Sequence, residues 1–380
     1  MDHWFRTHLL DEILPRWLEA AVAPNGAFLP RLDRWWRPKP DQVVTLVSQG
    51  RLLYCFAQGW RLTGSQAYIE AVGSGALFLL QNLCDWDLGG CYWSCDAKGK
   101  VLDTRKDSYG HAFALFGLAH ACRATRDTAL LEVVHRTWAA FASHLQDARG
   151  GVVVGMDRDF TNPRPGRSAN PLMHLLEALL AASALDAQYL AEARRVAELA
   201  ASLVREDGLL PEFYNDDWAA LAGPEGGVID LGHQLEWAFL LSSGVSLGLP
   251  DPLLTTGQGL LRAGLNLGLD AATGGLRSVA TPEGELPRRD WIWWTQAEAL
   301  RTLLHYRWER GQAELEPAAD RLLELIKSRF VDPEAGGWYA SLGEDLRPRG
   351  QDKGSEWKVD YHVVGLCCEA LRLAPRSLYG

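Results

Sequence analysis

The chain has 380 residues, with 48 acidic against 38 basic side chains, a formal net charge of −10 and 47% hydrophobic residues. The charges are dispersed, without a run of one sign or a basic stripe, which excludes nucleic acid and an anionic membrane surface as partners and leaves a small molecule or another protein. No segment approaches the ~20 uninterrupted apolar residues of a membrane span, and the opening MDHWFRTHLLDEILPRW lacks the basic-then-apolar order of an export signal, so a cytoplasmic monomer or homodimer is expected.

Apolar residues recur at helical spacing through nearly every segment, and strand-like alternation is almost absent. Helices are predicted over 3–21, 42–63, 67–84, 107–125, 127–147, 170–184, 187–205, 229–247, 252–269, 290–311, 313–329 and 357–373. Short glycine turns punctuate them, each reading as a hairpin tip between two short extended pieces. Taking Gly26, Gly90, Gly151, Gly208, Gly275 and Gly337 as markers, the intervals are 64, 61, 57, 67 and 62 residues. Six units of helix, hairpin and helix predict an all-α (α/α)6 barrel occupying 1–380 as a single domain. An open helical solenoid has the same periodicity, so closure is an inference. The seven cysteines, Cys55, Cys84, Cys91, Cys95, Cys122, Cys367 and Cys368, are odd in number and scattered. They read as buried thiols, since no pair has the spacing of a zinc cluster.

Polar side chains fall in register with this repeat. Counted from each marker, Arg51 lies 25 residues on, His111 21, His174 23, His233 25, Gln296 21 and His362 25. If the second helix of each unit is the inner one, these six converge at one end of the barrel. A convergent polar ring in an apolar cavity is a site candidate.

The stretch VIDLGHQLEWAFLL, Val228 to Leu241, sets His233 and Glu236 one turn apart on an otherwise apolar helix. His233 follows Asp230 and His362 follows Asp360, each a candidate N-cap, so both rings should sit in a first helical turn, where the positive helix end favours neutral imidazole. Such rings suit proton transfer near pH 7. Glu236 and, three residues after His174, Glu177 are placed to orient the imidazoles. In NPLMHLLEALL, Asn170 reads as an N-cap with Pro171 first in the helix. The two HxxE pairs resemble carboxylate-bridged metal sites, but those need two more facing glutamates, and no metal is expected. Arg51 brings a fixed cation into an apolar helix, either to hold a developing oxyanion or to pair with a carboxylate of a neighbouring repeat. Of the sixteen tryptophans, Trp237, Trp291, Trp293, Trp294 and Trp357 fall near these positions as platforms for sugar rings or as core. In Trp294-Thr295-Gln296-Ala297-Glu298, Gln296 and Glu298 cannot share a face, which sets Glu298 behind the site. No dinucleotide, P-loop, serine-elbow or zincin motif is present, and no organic cofactor is indicated.

The chain resembles the N-acyl-D-glucosamine 2-epimerase family, which includes cellobiose and mannobiose 2-epimerases and isomerases of mannose or sulfoquinovose. The motifs are Arg51 with Tyr54, KDSYGHAF around His111, NPLMHLLEA around His174, FYNDDW from Phe213, GHQLEW around His233, WWTQAEA around Gln296 and KVDYH ending at His362. The resemblance implies an (α/α)6 barrel and cofactor-independent chemistry on an unphosphorylated aldose. It makes His233 and His362 the acid/base pair and Arg51, His174 and Glu236 their support. Tyr54, His111, Asn170, Trp294, Gln296 and Glu298 are expected around the substrate. A C2 proton would be removed to give a cis-enediolate, and its return to C2 or C1 would give the 2-epimer or the ketose. A glycoside hydrolase on the same barrel would instead need two opposed acids, and a non-catalytic binder would hold sugar without turnover.

Overall fold

The structure, a computed structural model, describes residues 2–374 apart from residue 222. Among them, twelve long helices alternate between two layers. The outer layer is 2–21, Gln66–Asn82, Thr128–His144, Gln188–Leu203, Pro252–Gly268 and 316–330; the inner layer is Leu46–Thr63, Ser108–Thr125, Ala169–Ala182, Leu231–Ser246, Trp293–Glu309 and Tyr361–Leu373. Composition sorts them. Thr128–His144 buries only Leu130, Val134, Thr137 and Phe141, one stripe at helical spacing, whereas Leu46–Thr63 is buried without a break from Leu46 to Gly59. A helix apolar on one stripe stays at the surface, and one apolar all round must be enclosed. Each inner helix packs on the next, and Tyr361–Leu373 returns to Leu46–Thr63, so the ring is closed and the solenoid alternative is overturned.

The glycine turns gather at one end, where outer helices stop and inner helices start. In all six, an Asn or Asp side chain accepts the backbone N–H two residues on: Asn25, Asp85, Asp147, Asp207, Asp270 and Asp332. Gly26 shows why glycine follows, since its φ is +86° and a Cβ there would lie 2.2 Å from the Ser74 carbonyl oxygen. Short antiparallel ribbons then staple neighbouring units at this end: Lys106–Asp107 with Gly155–Met156, Arg167–Ser168 with Phe213–Tyr214, Ile229–Asp230 with Val279–Ala280, and Trp291–Ile292 with Ser341–Leu342. First and last units meet where a π-helical stretch, His8–Ile13, turns His8 and Glu12 toward the sixth hairpin. There the Trp338 indole donates to His8 Nε2 at 2.8 Å and Gly337 N donates to Glu12 at 2.8 Å.

Four inner helices are latched to their own hairpins by one side chain each. Gln49 accepts from Phe28 N (3.0 Å) and donates to the Gly26 carbonyl (3.1 Å). Gln234 does the same with Leu210 N (3.1 Å) and Gly208 O (2.7 Å), and Gln296 with Leu276 N (2.9 Å) and O (2.8 Å). His111 takes Cys91 N on Nε2 at 2.8 Å while Nδ1 meets the Asp107 carbonyl at 2.7 Å. Gln296 and His111 are therefore hairpin latches, which corrects their expected place among substrate contacts. Gln296→Leu should leave the Leu276 N–H and C=O unpaired in the core and cost about 2–4 kcal/mol. Urea unfolding measures this, and an unchanged midpoint would remove the latch role.

Two helix starts differ from the sequence reading. Ser168, not Asn170, caps Ala169–Ala182, accepting Asn170 N at 3.2 Å. The last helix begins at Tyr361 rather than 357, and Asp360 does not cap it with its side chain. That carboxylate is held by the Trp17 indole at 2.9 Å and Lys358 Nζ at 3.1 Å, while the Trp357 carbonyl is taken by Arg51.

Candidate active site

At the hairpin end, the N-termini of the inner helices surround a cavity of about 520 Å3 whose lining includes Arg51, Tyr109, Asn170, His174, His233, Trp294, Trp357 and His362. A second cavity of about 660 Å3 opens beside it, sharing Tyr109, Asn170 and Trp357 and bounded further by Trp93, Arg105, Arg167 and Phe213.

His233 and His362 both lie against the Trp294 ring, with centroids at 5.0 and 5.5 Å. Their surroundings drive them apart. Asp230 caps the helix through His233 N at 3.1 Å, and His233 Nδ1 meets Glu212 Oε2 at 2.9 Å. Burial alone would lower the His233 pKa, but the Asp230 and Glu212 carboxylates together outweigh it and hold the imidazole pKa at about 10. The expectation of a neutral His233 is thus overturned, because two carboxylates within about 4 Å outweigh the helix end's half charge. Glu212 is fixed in turn by the Ser168 hydroxyl (2.8 Å) and Asn170 N (3.1 Å) at the start of the neighbouring inner helix. His362 goes the other way: burial, then the nearby Arg51 cation and His174, push its pKa well below the ordinary value. Its Nδ1 sits 2.8 Å from Glu298 Oε1, leaving Nε2 for the cavity. One imidazole is therefore cationic and the other neutral at pH 7, the pattern that separates acid from base.

Beneath them lies a carboxyl cluster. Glu177 meets His174 Nδ1 at 3.2 Å and accepts from the Tyr361 hydroxyl. Burial lowers the His174 pKa, and against burial the hydrogen bond and charge of His174, then the Arg301 charge and the Tyr361 hydroxyl, hold Glu177 well below the ordinary carboxylate value. Burial also raises Glu298, to about 7, against the opposing Arg301 guanidinium 3.4 Å away. Glu236 is completely buried, and neither carboxyl oxygen has a hydrogen-bond partner. Burial and the adjacent Glu298 and Glu177 raise its pKa well above the ordinary carboxylate value. Glu236 therefore does not hold His233, as its i,i+3 spacing implied; it stands between the His174–Glu177 and His362–Glu298 pairs, with ligand atoms of each trio within 4.8 Å of one another.

Arg51 is 3% exposed and has no carboxylate partner among the described residues, which overturns the ion-pair alternative. It donates to the Trp357 carbonyl (2.9 Å) and the Tyr109 hydroxyl (2.7 Å), and its guanidinium lies 4.4 Å from the Phe113 ring centre. Its charge is left facing the cavity. Asn170 lines both cavities, and its Oδ1 is buried without a partner. Tyr54 is not brought to this site: it packs on Tyr361 at 5.6 Å and lines cavities at the opposite end of the barrel. Trp291 and Trp237 are core, whereas Trp293, Trp294 and Trp357 reach the cavity. Sequence reasoning missed Glu212, Tyr109, Tyr361 and Arg301. Glu212 precedes FYNDDW and Tyr109 lies within KDSYGHAF, so an acid or phenol inside an already noted motif was the available signal.

A closed (α/α)6 ring presents two unlike imidazoles across one cavity, an arrangement suited to moving a proton. Residues 26–367 match the N-acylglucosamine 2-epimerase (GlcNAc 2-epimerase) family, and the chain belongs to it as an isomerase-class enzyme. The cellobiose 2-epimerase of Bacteroides fragilis is 26% identical over 386 residues, covering 96% of each chain. The D-mannose isomerase of Marinomonas mediterranea is 28% identical over 96% of this chain and 95% of its own. The solved cellobiose 2-epimerase of Spirochaeta thermophila superposes with a TM-score of 0.90 at 26% identity, covering 98% of this chain and 96% of that one. Among the described residues no helix is long and apolar enough to cross a membrane.

Proposed function

We propose that this protein inverts C2 of an unphosphorylated aldose without a cofactor, the whole barrel acting as a single domain. The observation that carries this is the placement of His233 and His362 on one tryptophan with unlike charge about them, Asp230 and Glu212 beside the first and Arg51 near the second. Inversion needs a base on one side of C2 and an acid on the other. With the ring-opened sugar between them, His362 Nε2 takes the C2 proton and the electron pair moves to the carbonyl oxygen, giving a cis-enediolate. Arg51 offsets the charge developing on its oxygens. The His233 imidazolium then delivers its proton to the opposite face of C2, and exchange with solvent restores both rings. The aromatic walls of the adjoining cavity, Trp93, Trp357 and Phe213, suit a second sugar ring, as in the cellobiose that two of the relatives are named for. Seven buried thiols fit a cytoplasmic location, as a monomer or homodimer.

An aldose–ketose isomerase is the second reading, favoured by the mannose isomerase relative, and it needs only one imidazole to carry a proton from C2 to C1. NMR in D2O with mannose, glucose, fructose, N-acetylglucosamine and cellobiose, each in its own tube, separates the two. A 2-epimer carrying deuterium at C2 is expected. Ketose from mannose without epimer would replace this reading, and no exchange with any sugar would sink both.

The pH profile should reach its alkaline limb near 10, where His233 loses its proton. Glu212→Gln removes one of the two carboxylates that raise that pKa, so the limb should move toward neutrality. An unmoved limb would show that His233 is not the acid.

A further inference from the structure

The inner helices end at the face opposite the hairpins, around a cavity of about 1030 Å3. Its lining includes five arginines, Arg61, Arg123, Arg126, Arg301 and Arg372, against a single carboxylate, Glu369. That excess of positive charge stands in a chain of net charge −10. Helix ends explain part of it, because Arg61, Arg123 and Arg372 lie in the last turns of three inner helices. Each end carries about half a negative charge, and Arg372 also meets Glu309 at 3.0 Å and Arg301 meets Glu298 at 3.4 Å, so the guanidiniums left without a carboxylate among the described residues are those of Arg61, Arg123 and Arg126. Arg301 is not at a helix end. It lies in the middle of Trp293–Glu309, 3.8 Å from the Phe239 ring centre, and its buried Nε has no hydrogen-bond partner among the described residues. Arg123 and Arg126 are exposed with no ion pair among the described residues, whereas Glu369 is already held by Arg372 (2.8 Å) and His305 (2.7 Å). Guanidinium forks without a carboxylate partner, those of Arg61, Arg123 and Arg126, around a concavity match tetrahedral oxyanions, which accept in pairs.

We propose that this cavity binds a small multivalent oxyanion of the phosphate class, and that its occupancy acts on His362 through Arg301 and Glu298. The path is short: Arg301 Nη1 lies 3.4 Å from Glu298 Oε2, and Glu298 Oε1 lies 2.8 Å from His362 Nδ1. An anion drawing on Arg301 takes positive charge from Glu298, and so changes the partner of the imidazole. The coupling rests on His362 being the base proposed above; the binding does not.

Calorimetric titration of the whole protein with inorganic phosphate and with pyrophosphate, at ionic strength held by chloride, tests the site. Saturable binding at one site is expected, tighter for pyrophosphate and weakened about tenfold or more in Arg61→Gln/Arg123→Gln. Arg105→Gln/Arg167→Gln, in the cavity at the hairpin end, should leave it unchanged. No saturable binding, equal affinity in the first double variant, or loss in the second would overturn the site. Should Arg61→Gln/Arg123→Gln fail to fold, Arg126→Gln with the same titration serves in its place. For the coupling, the 15N resonances of His362 should move on saturation with pyrophosphate in the wild type and stay in Arg61→Gln/Arg123→Gln, and unmoved resonances would overturn it. A protein that binds pyrophosphate but turns over no sugar would separate this site's standing from that of the proposed function.

Discussion

His362→Asn is expected to abolish both product formation and exchange of the substrate's C2 proton with solvent, lowering kcat by at least about 10²–10⁴-fold while the helical fold persists. Asparagine keeps a polar contact to Glu298 and fits the first turn of Tyr361–Leu373, but it has no nitrogen that can accept a proton. The matched variant His233→Asn gives a different signature. His362 Nε2 remains, so the epimer whose C2 proton faces it should still exchange in D2O, while no inverted product accumulates. Two variants that lose inversion, of which only one loses exchange, would assign one imidazole to each face of C2. Wild-type exchange in His362→Asn would sink the assignment of the base. Loss of all exchange in His233→Asn would show that the two rings act as one unit.

The architecture was legible because its causes are periodic. Glycine turns at intervals near 60 residues mark six helix pairs, which predict two layers, and only closure had to come from packing between Tyr361–Leu373 and Leu46–Thr63. The candidate site was legible less evenly, since helix direction changes by about 100° per residue. Every unit does carry a polar side chain near the start of its inner helix, but Gln49 and Arg51, two residues apart, point respectively to a hairpin and to the cavity. His233 and Gln234 divide in the same way over one residue. Counting from the glycines merged these two roles, which is why His111 and Gln296 were placed with Arg51, His174, His233 and His362. Glu236 misled for a related reason. Its spacing from His233 is right for contact within a helix, but the imidazole is claimed from outside by Glu212, on a ribbon 21 residues away in sequence. Partners fixed by ribbons between units leave no local pattern, and neither does the charge of a buried ring set by two of them.

Glu298→Gln tests whether such a partner governs the chemistry itself. The ionised carboxylate can only accept, so it holds the proton on His362 Nδ1 and leaves the lone pair on Nε2. Below about 7, Glu298 becomes protonated and can donate instead, which shifts the imidazole to the tautomer with its proton on Nε2 and no base in the cavity. Activity should therefore rise with pH through an acid limb near 7. A glutamine is nearly isosteric, but its amide offers a donor at every pH, so the unproductive tautomer competes throughout. The expected result is a fall in kcat of about 10²–10⁴-fold, with the acid limb gone, the alkaline limb of His233 still near 10, and sugar binding little changed. Loss of the Arg301 partner should show separately, as a modest drop in thermal stability. Activity within about threefold of wild type, with the limb still near 7, would mean that another group sets the tautomer; Glu236 is close enough to take that part, with a carboxyl oxygen within 4.8 Å of polar atoms of Glu298 and His362.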